Sequence, residues 1–351
     1  MNIFIAKTPY HALVAHAVLL NISEKSSQCP ASTLIYSGND LEDIRSIIAP
    51  DFWRNIFHFQ LDSNAWNPGV RHTVKKWIHR HKLDTPGSDL FFSDDMNWRD
   101  QLLRHYLHGR QKYLIEDGLG SYYEASFTVT QWLFRNIVLR ALFVDLDIHF
   151  GAVSQSTAHK YFCLHKTGFP WVENRRNVRL VNEDLEQHLD DLQERGNADS
   201  KTHSDYDLVF LSQPLYESNL LSMQQDLWYH QQLLDHFSDT AINILIKKHP
   251  RETMKMFRKR IDAMESLTSG ATLHTSVDAT PAEALFNRMD SKTKVVSFTS
   301  TALINLKRLR PNLDVYFCPI SDNSSISSIF KKTGITKISI DPKMAVRIRS
   351  Q

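Results

Sequence analysis

Short apolar runs alternate with amphipathic stretches along most of this chain. Residues 2–6, 33–36, 55–61, 89–93 and 112–115 are rich in β-branched and aromatic side chains, the pattern of buried strands. Helical stretches lie between them. Thr8 and Pro9 are a cap and first-position signal, and Ala12, Leu13, Ala15, Val18 and Leu19 then share one helical face. Further helices are predicted over 41–48, 70–83 and 98–108, and a long one over 131–146, before another strand at 160–164. Strand alternating with helix predicts a parallel, doubly wound α/β sheet.

The pattern then breaks. Residues 182–205 are polar and charged and predict a helix that frays into a linker. Beyond it the alternation restarts. Strands are expected at 208–211, 242–246, 272–274, 295–298 and 315–318, with helices near 220–237, 252–265, 281–289 and 301–309. The last piece, 324–351, predicts a helix, a strand over 335–340 and a basic tail. Two Rossmann-like domains, 1–195 and 206–351, facing a cleft are the expected architecture, and such a cleft is a default ligand site.

Composition narrows the function. The chain has 351 residues, with 41 Lys plus Arg against 39 Asp plus Glu, a formal charge of +2. That balance disfavours a dedicated nucleic-acid binder. Cys29, Cys163 and Cys318 form no C-x-x-C, which points to a reducing cytosol rather than a zinc ribbon or redox motif. The apolar segment 132–150 is broken by Arg135, Arg140, Asp145 and Asp147 and is too short for a membrane span. The opening lacks a basic leader region, and Lys7, Pro9 and His11 interrupt its apolar part, so it reads as strand and helix rather than signal peptide. Residues 71–82, with Lys75, Lys76, Arg80 and Trp77, form a basic amphipathic helix that could sit on anionic lipid or simply pack Trp77 into the domain.

Candidate chemistry collects at strand ends. The run 242–252, INILIKKHPRE, passes from an apolar strand into Lys247, Lys248, His249, Pro250 and Arg251. Pro250 biases His249 towards extended backbone. In open α/β sheets ligands sit beyond the carboxyl ends of strands, where three cations and a His suit a phosphate; an ordinary basic strand end fits the same residues. Glu116-Asp117-Gly118 follows a strand directly. One carboxylate could act as a general base and the other orient the loop, or both could belong to a solvated turn. Adjacent side chains of an extended segment point opposite ways, which favours Asp117 as proton acceptor; Glu116 takes that place if the strand ends at Ile115. Ser300 and Thr301 open a helix, where hydroxyls cap it or meet an anion. Thr280-Pro281-Ala282-Glu283 has capping-box spacing, and Glu283 is equally placed for ribose hydroxyls. Gln213 lies in the loop after strand 208–211. The 17 histidines make no metal spacing, and Asp145-x-Asp147 and Asp205-x-Asp207 both avoid strand carboxyl ends.

The order of these motifs resembles bacterial sialyltransferases: an acidic-acidic-Gly motif, then His-Pro, then a Ser/Thr pair, with Thr8-Pro9-Tyr10-His11-Ala12-Leu13 at the opening. The resemblance is to glycosyltransferase family 52, the lipooligosaccharide sialyltransferases, with capsule polysialyltransferases as cousins. It implies a GT-B fold and inverting transfer from CMP-sialic acid to a galactose-terminated glycan, with no metal or cofactor. It further implies a base among Glu116 and Asp117, and His249 serving the leaving phosphate, as a proton donor if it is protonated. Pro250, Ser300, Thr301, Lys248, Arg251, Gln213 and, less directly, Glu283 would form the donor site. Some relatives carry an Asp in the loop after the second domain's first strand, which here reads Gln213-Pro214-Leu215, and that leaves the acidic pair or Glu217 as base. Candidate partners beyond donor and acceptor are the inner-membrane face and a second copy in a homodimer. Competing readings are a transferase using a UDP-hexose or CMP-Kdo, and a non-catalytic nucleotide or sugar binder on the same fold.

Overall fold

The computed structural model describes residues 1–24, 31–38, 40–61, 69–93, 98–118, 121–122, 158–195, 206–237, 240–266, 270–285, 289, 292–320 and 324–340. The chain divides into two compact units, Met1–Arg195 and Gly196–Gln351.

Unit 1 contains the strands β1 (Asn2–Ala6), β2 (Ser32–Tyr36), β3 (Asn55–His58), β4 (Asp89–Phe92), β5 (Gln111–Ile115), β6 (Lys160–Cys163) and β7 (Val178–Leu180). They form one sheet in the order β3-β2-β1-β4-β5-β6-β7, parallel throughout. Its helices are α1 (Pro9–Glu24), α2 (Glu42–Arg45), α3 (Val70–Arg80), α4 (Trp98–Leu107) and α5 (Asn182–Arg195). Both sheet faces are covered, as a parallel sheet requires. Ile3, Ile5, Leu90, Phe92 and Leu114 pack with Val70, Val74, Ile78, Leu102 and Leu103. On alternate positions Phe4 stacks on Phe91 at 4.3 Å, and Phe91 on Tyr113 at 4.5 Å.

Unit 2 repeats the plan with β8 (Leu208–Leu211), β9 (Asn243–Lys247), β10 (Thr272–Ser276), β11 (Lys294–Ser297), β12 (Asp314–Phe317) and β13 (Thr336–Lys337), ordered β10-β9-β8-β11-β12-β13 and again all parallel. Its helices are α6 (Met223–Asp235), α7 (Met254–Glu265), α8 (Ala282–Leu285), α9 (Thr301–Leu309) and α10 (Ser324–Lys332). In each sheet the strand order reverses beside the first strand, between β1 and β4 and between β8 and β11. Loops at such a switch point diverge and leave a crevice at the strands' carboxyl ends.

Several elements differ from the sequence pattern. The helix expected over 41–48 shrinks to α2, where Asp40 Oδ1 accepts the N–H of Glu42 and Pro50 follows closely. β9 begins at Asn243, not Ile242, which is 66% exposed. Asp207 Oδ2 accepts the N–H groups of both Ile242 and Asn243 at 2.8 Å and so sets that boundary. β7 was not expected: three residues with Arg179 in the middle carry no apolar run. The expected final strand over 335–340 is reduced to β13. The helix expected over 131–146, Cys29, Gly120, Asp145, Asp147, Asp205 and the basic tail lie outside the described residues.

Candidate active site

The acidic pair is set by the first turn of α1. Pro9 opens the helix, and Thr8 caps it by accepting the N–H of His11 at 3.1 Å. That turn directs two side chains at the end of β5. Tyr10 Oη donates to Glu116 Oε1 at 2.9 Å, and His11 Nε2 lies 2.5 Å from Asp117 Oδ1. Glu116 is wholly buried and also accepts from Tyr122 Oη (2.6 Å) and from the N–H of Leu164 (2.7 Å). Its own N–H continues the ladder to Phe162 O on β6, so the extended backbone persists one residue past β5. The next side chain therefore emerges on the other side, and Asp117 is 41% exposed. Gly118, at φ 93°, then turns the chain through a conformation that L-residues avoid. Ser121 Oγ accepts the N–H of Asp117.

His249 follows β9 in a loop built on a buried carboxylate. Glu252 Oε2 accepts the N–H of His249 at 2.6 Å, while Oε1 accepts Ser212 Oγ at 2.5 Å and Arg260 Nη1 at 2.6 Å. Arg260 is fully buried on α7 and binds two further acids: Glu217 through Nη2 at 2.7 Å, and Asp226 on α6 through Nε and Nη2. His230 Nδ1 lies 2.9 Å from Asp226 Oδ1. One guanidinium thus ties the loops after β8 and β9 to two helices, five donors in a fixed fork meeting three carboxylates. Burial pushes the Asp226 carboxyl up, but His230 and Arg260 outweigh it and hold it below its ordinary range. Burial also raises Glu252, and there Arg260 and Ser212 do not fully offset it. Glu217, the fallback base of the sequence reading, is held by this arginine.

His249 itself is half-buried. Burial, then the charges of Arg251, Lys248, Lys247 and Arg260, push its imidazole down to about 3. It is therefore neutral near pH 7, which departs from the protonated donor considered on sequence grounds. Its Nδ1 accepts the N–H of Arg251 at 3.1 Å, which leaves the ring proton on Nε2. The three neighbouring cations differ. Lys247 is buried, with Nζ on Asp278 O at 2.7 Å, Lys248 Nζ reaches His249 O at 3.1 Å, and Arg251 is exposed beside exposed Pro250.

The remaining expected residues separate. Ser300 takes the N-cap position of α9 without a side-chain capping bond, and both it and Thr301 are half-buried at the end of β11. Gln213 is half-buried in the loop after β8. Glu283 is 3% exposed and accepts Asn305 Nδ2 at 2.7 Å. The capping box expected with Thr280 is not formed; the Thr280 N–H goes to Asp278 Oδ1. Among the described residues no group of three or more His, Cys, Asp or Glu could hold a metal ion.

Sequence reasoning quoted His11 and Tyr10 only as part of a motif, and missed Glu252, Arg260, Asp226 and His230. The Thr8-Pro9 signal could have exposed the first two, because a helix starting directly after β1 puts its first turn at the sheet's carboxyl edge. For α3, Trp77 packs edge-on against Phe59 at 4.9 Å while Val70, Val74 and Ile78 enter the core, so its apolar face is turned inward. No helix among the described residues is long and apolar enough to cross a membrane.

Two parallel-sheet units with loops of this kind at the strand ends define a GT-B fold. Solved structures agree. The S. aureus MnaA–UDP co-structure aligns over 92% of this chain and 79% of its own, at 11% identity and TM-score 0.55. UDP-GlcNAc 2-epimerase from Neisseria meningitidis bound to UDP-GlcNAc aligns over 100% and 91%, at 10% identity and TM-score 0.52. No curated protein matches. The model of the alpha-2,8-polysialyltransferase (POLYST) family matches residues 2–318. The chain belongs to that family, a bacterial sialyltransferase family, and it is a glycosyltransferase. The match is to the polysialyltransferase family and does not extend to the narrower resemblance to family 52.

Proposed function

We propose that this protein is an inverting sialyltransferase that moves sialic acid from CMP-sialic acid to a hydroxyl of a bacterial surface glycan. The acceptor ends in galactose or, as the family's description suggests, in sialic acid. The observation that carries the reading is the family match over residues 2–318. The geometry supports it. Asp117 offers an exposed carboxylate to take the proton of the acceptor hydroxyl as that oxygen attacks the anomeric carbon. His249 donates its Nε2–H to the phosphate oxygen where charge grows as CMP leaves. Ser300, Thr301 and the N–H groups at the start of α9 stabilise the same charge. Lys248 and Arg251 serve the donor's anionic groups, and Gln213, Pro250 and Glu283 shape its pocket. Unit 2 is on this reading the nucleotide domain and unit 1 the acceptor side, and no metal takes part. The protein works in the cytoplasm. Exposed Lys75, Lys76 and Arg80 of α3 are its candidate contact with the inner membrane, through charge alone.

The test is incubation with CMP-sialic acid and a panel of galactosyl and sialyl acceptors, read by mass spectrometry, with UDP-hexoses as competing donors. Product mass increased by one or more sialyl residues, unaffected by EDTA, is expected. Transfer from a UDP-hexose, or activity lost to EDTA and restored by Mn²⁺, overturns the reading.

A further inference from the structure

We propose that Glu252 is the positioning residue for His249, holding the turn His249-Pro250-Arg251 so that the imidazole offers its Nε2–H, and nothing else, to the donor phosphate. The inference deepens the proposed function and rests on His249 meeting the phosphate of CMP-sialic acid.

Three observations carry it. Glu252 closes the turn twice over. Its own N–H donates to His249 O at 3.0 Å, and its Oε2 accepts the His249 N–H at 2.6 Å. Pro250 occupies the second position of this four-residue turn, where its fixed φ suits the bend. The other hydrogen-bonding atoms of His249 are engaged as well. Its oxygen accepts Lys248 Nζ, and Nδ1 accepts the Arg251 N–H. Nε2 alone has no hydrogen-bond partner among the described residues, on a side chain that is half-buried. The Glu252 side chain, finally, cannot turn away. It is wholly buried, and Oε1 is held by Ser212 Oγ at 2.5 Å and Arg260 Nη1 at 2.6 Å. Arg260 is fixed in turn by Asp226 and Glu217, and Glu217 also accepts the N–H of Thr253, the N-cap of α7.

Stability alone does not account for this cluster. Two wholly buried carboxylates and a third nearly so carry a desolvation cost that apolar side chains of similar volume avoid. What the cluster supplies is direction. The loop after β8, through Ser212 and Glu217, and the loop after β9, through Glu252, share one anchor. A proton donor must lie within hydrogen-bond reach of the oxygen where charge grows, and a misplacement of about 1 Å costs about a hundredfold in rate.

The experiment uses the full chain as wild type, Glu252→Gln, His249→Ala and the double variant. It measures kcat and KM for CMP-sialic acid, with circular dichroism as the control on folding. The ring nitrogens of His249 are followed by NMR of isotopically labelled histidine and assigned by their loss in His249→Ala. Glutamine at this position keeps its oxygen on the charged Arg260, the stronger donor, and turns its amide N–H against the His249 N–H. Glu252→Gln is expected to lower kcat by about a hundredfold, to leave KM for the donor nearly unchanged, and to turn a single Nε2–H tautomer into a mixture. In the His249→Ala background the same change should lower kcat no further, because Glu252 acts through the ring. Should Glu252→Gln not fold, Glu252→Asp replaces it, since it retains a charge for Arg260 and falls one methylene short of the His249 N–H. A folded variant with wild-type kcat, an equal loss in both backgrounds, or an unmoved tautomer makes Glu252 a structural residue and overturns the proposal; so does a mixture of tautomers in the wild type. If His249→Ala keeps its rate, the role of His249 fails instead, and the ring signals still decide whether Glu252 fixes the imidazole.

Discussion

Two adjacent carboxylates after β5 meet opposite surroundings, and on the proposed function that contrast divides their roles. Glu116 accepts three hydrogen bonds in the interior, whereas Asp117 has one oxygen on His11 and an outward face. Glu116→Gln puts an amide N–H₂ against hydroxyl and backbone donors. It should destabilise the protein by about 1–3 kcal/mol while the folded fraction keeps its turnover. Asp117→Asn is near-isosteric and partly exposed. It should leave Tm unchanged and lower kcat by about 100- to 10,000-fold, with CMP affinity intact. Calorimetry alongside initial rates checks both, and the reverse pattern assigns the base to Glu116. His249→Ala is expected to lower kcat on a similar scale and keep the fold. That the acidic pair and His249 lie at strand ends was visible in the sequence, because an apolar run precedes each. Their partners were not. Tyr10 lies 106 residues before Glu116, and no local pattern encodes that pairing.

At the scale of elements, strand positions were legible because buried parallel strands are short runs of β-branched and aromatic residues bounded by polar ones. Boundaries were set by side chains that a hydropathy pattern does not register, as Asp207 does for β9 and Asp40 for α2. The packing of α5 on α1 was equally hidden. It carries two buried, stacked imidazoles, His16 and His188, with ring centroids 3.9 Å apart. His16 Nδ1 accepts from Trp53 Nε1, and His188 Nε2 bonds Ile47 O. Burial, then His188 and Arg195, push His16 down to about 2; burial likewise lowers His188, against the opposing effects of Ile47 O and Asp191. The unfolded chain therefore binds protons that the folded chain refuses. The stability due to neutral His16 is complete above about pH 6.5 and declines as pH falls from there towards about 2. The slope is about 1.4 kcal/mol per pH unit for each such imidazole. His16→Asn, whose Oδ1 still accepts from Trp53, should flatten the decline between pH 6 and 4 by about that slope. Urea unfolding at a series of pH values measures it, and an unchanged slope would remove His16 from the account.

Over the whole molecule, the chain divides into two compact units, Met1–Arg195 and Gly196–Gln351, and a chain of this length buries its apolar surface in two cores rather than one. Each unit's core is drawn from its own strands and helices. The proposed donor residues, Gln213, Lys248, His249, Arg251, Ser300 and Thr301, all belong to unit 2, whereas Asp117 and His11 belong to unit 1. A ligand that binds only native unit 2 stabilises that unit by mass action, by about 2.7 kcal/mol at a hundredfold excess over Kd. Calorimetric unfolding is therefore expected to resolve two transitions. CMP should move one of them upward by several degrees and leave the other in place, and UMP at the same concentration should do so less. Hydrogen exchange assigns the shifted transition, with added protection expected around 211–213, 247–252 and 297–303. Protection appearing instead in the loops of unit 1 would place the nucleotide on the other sheet and reverse the assignment of donor and acceptor sides.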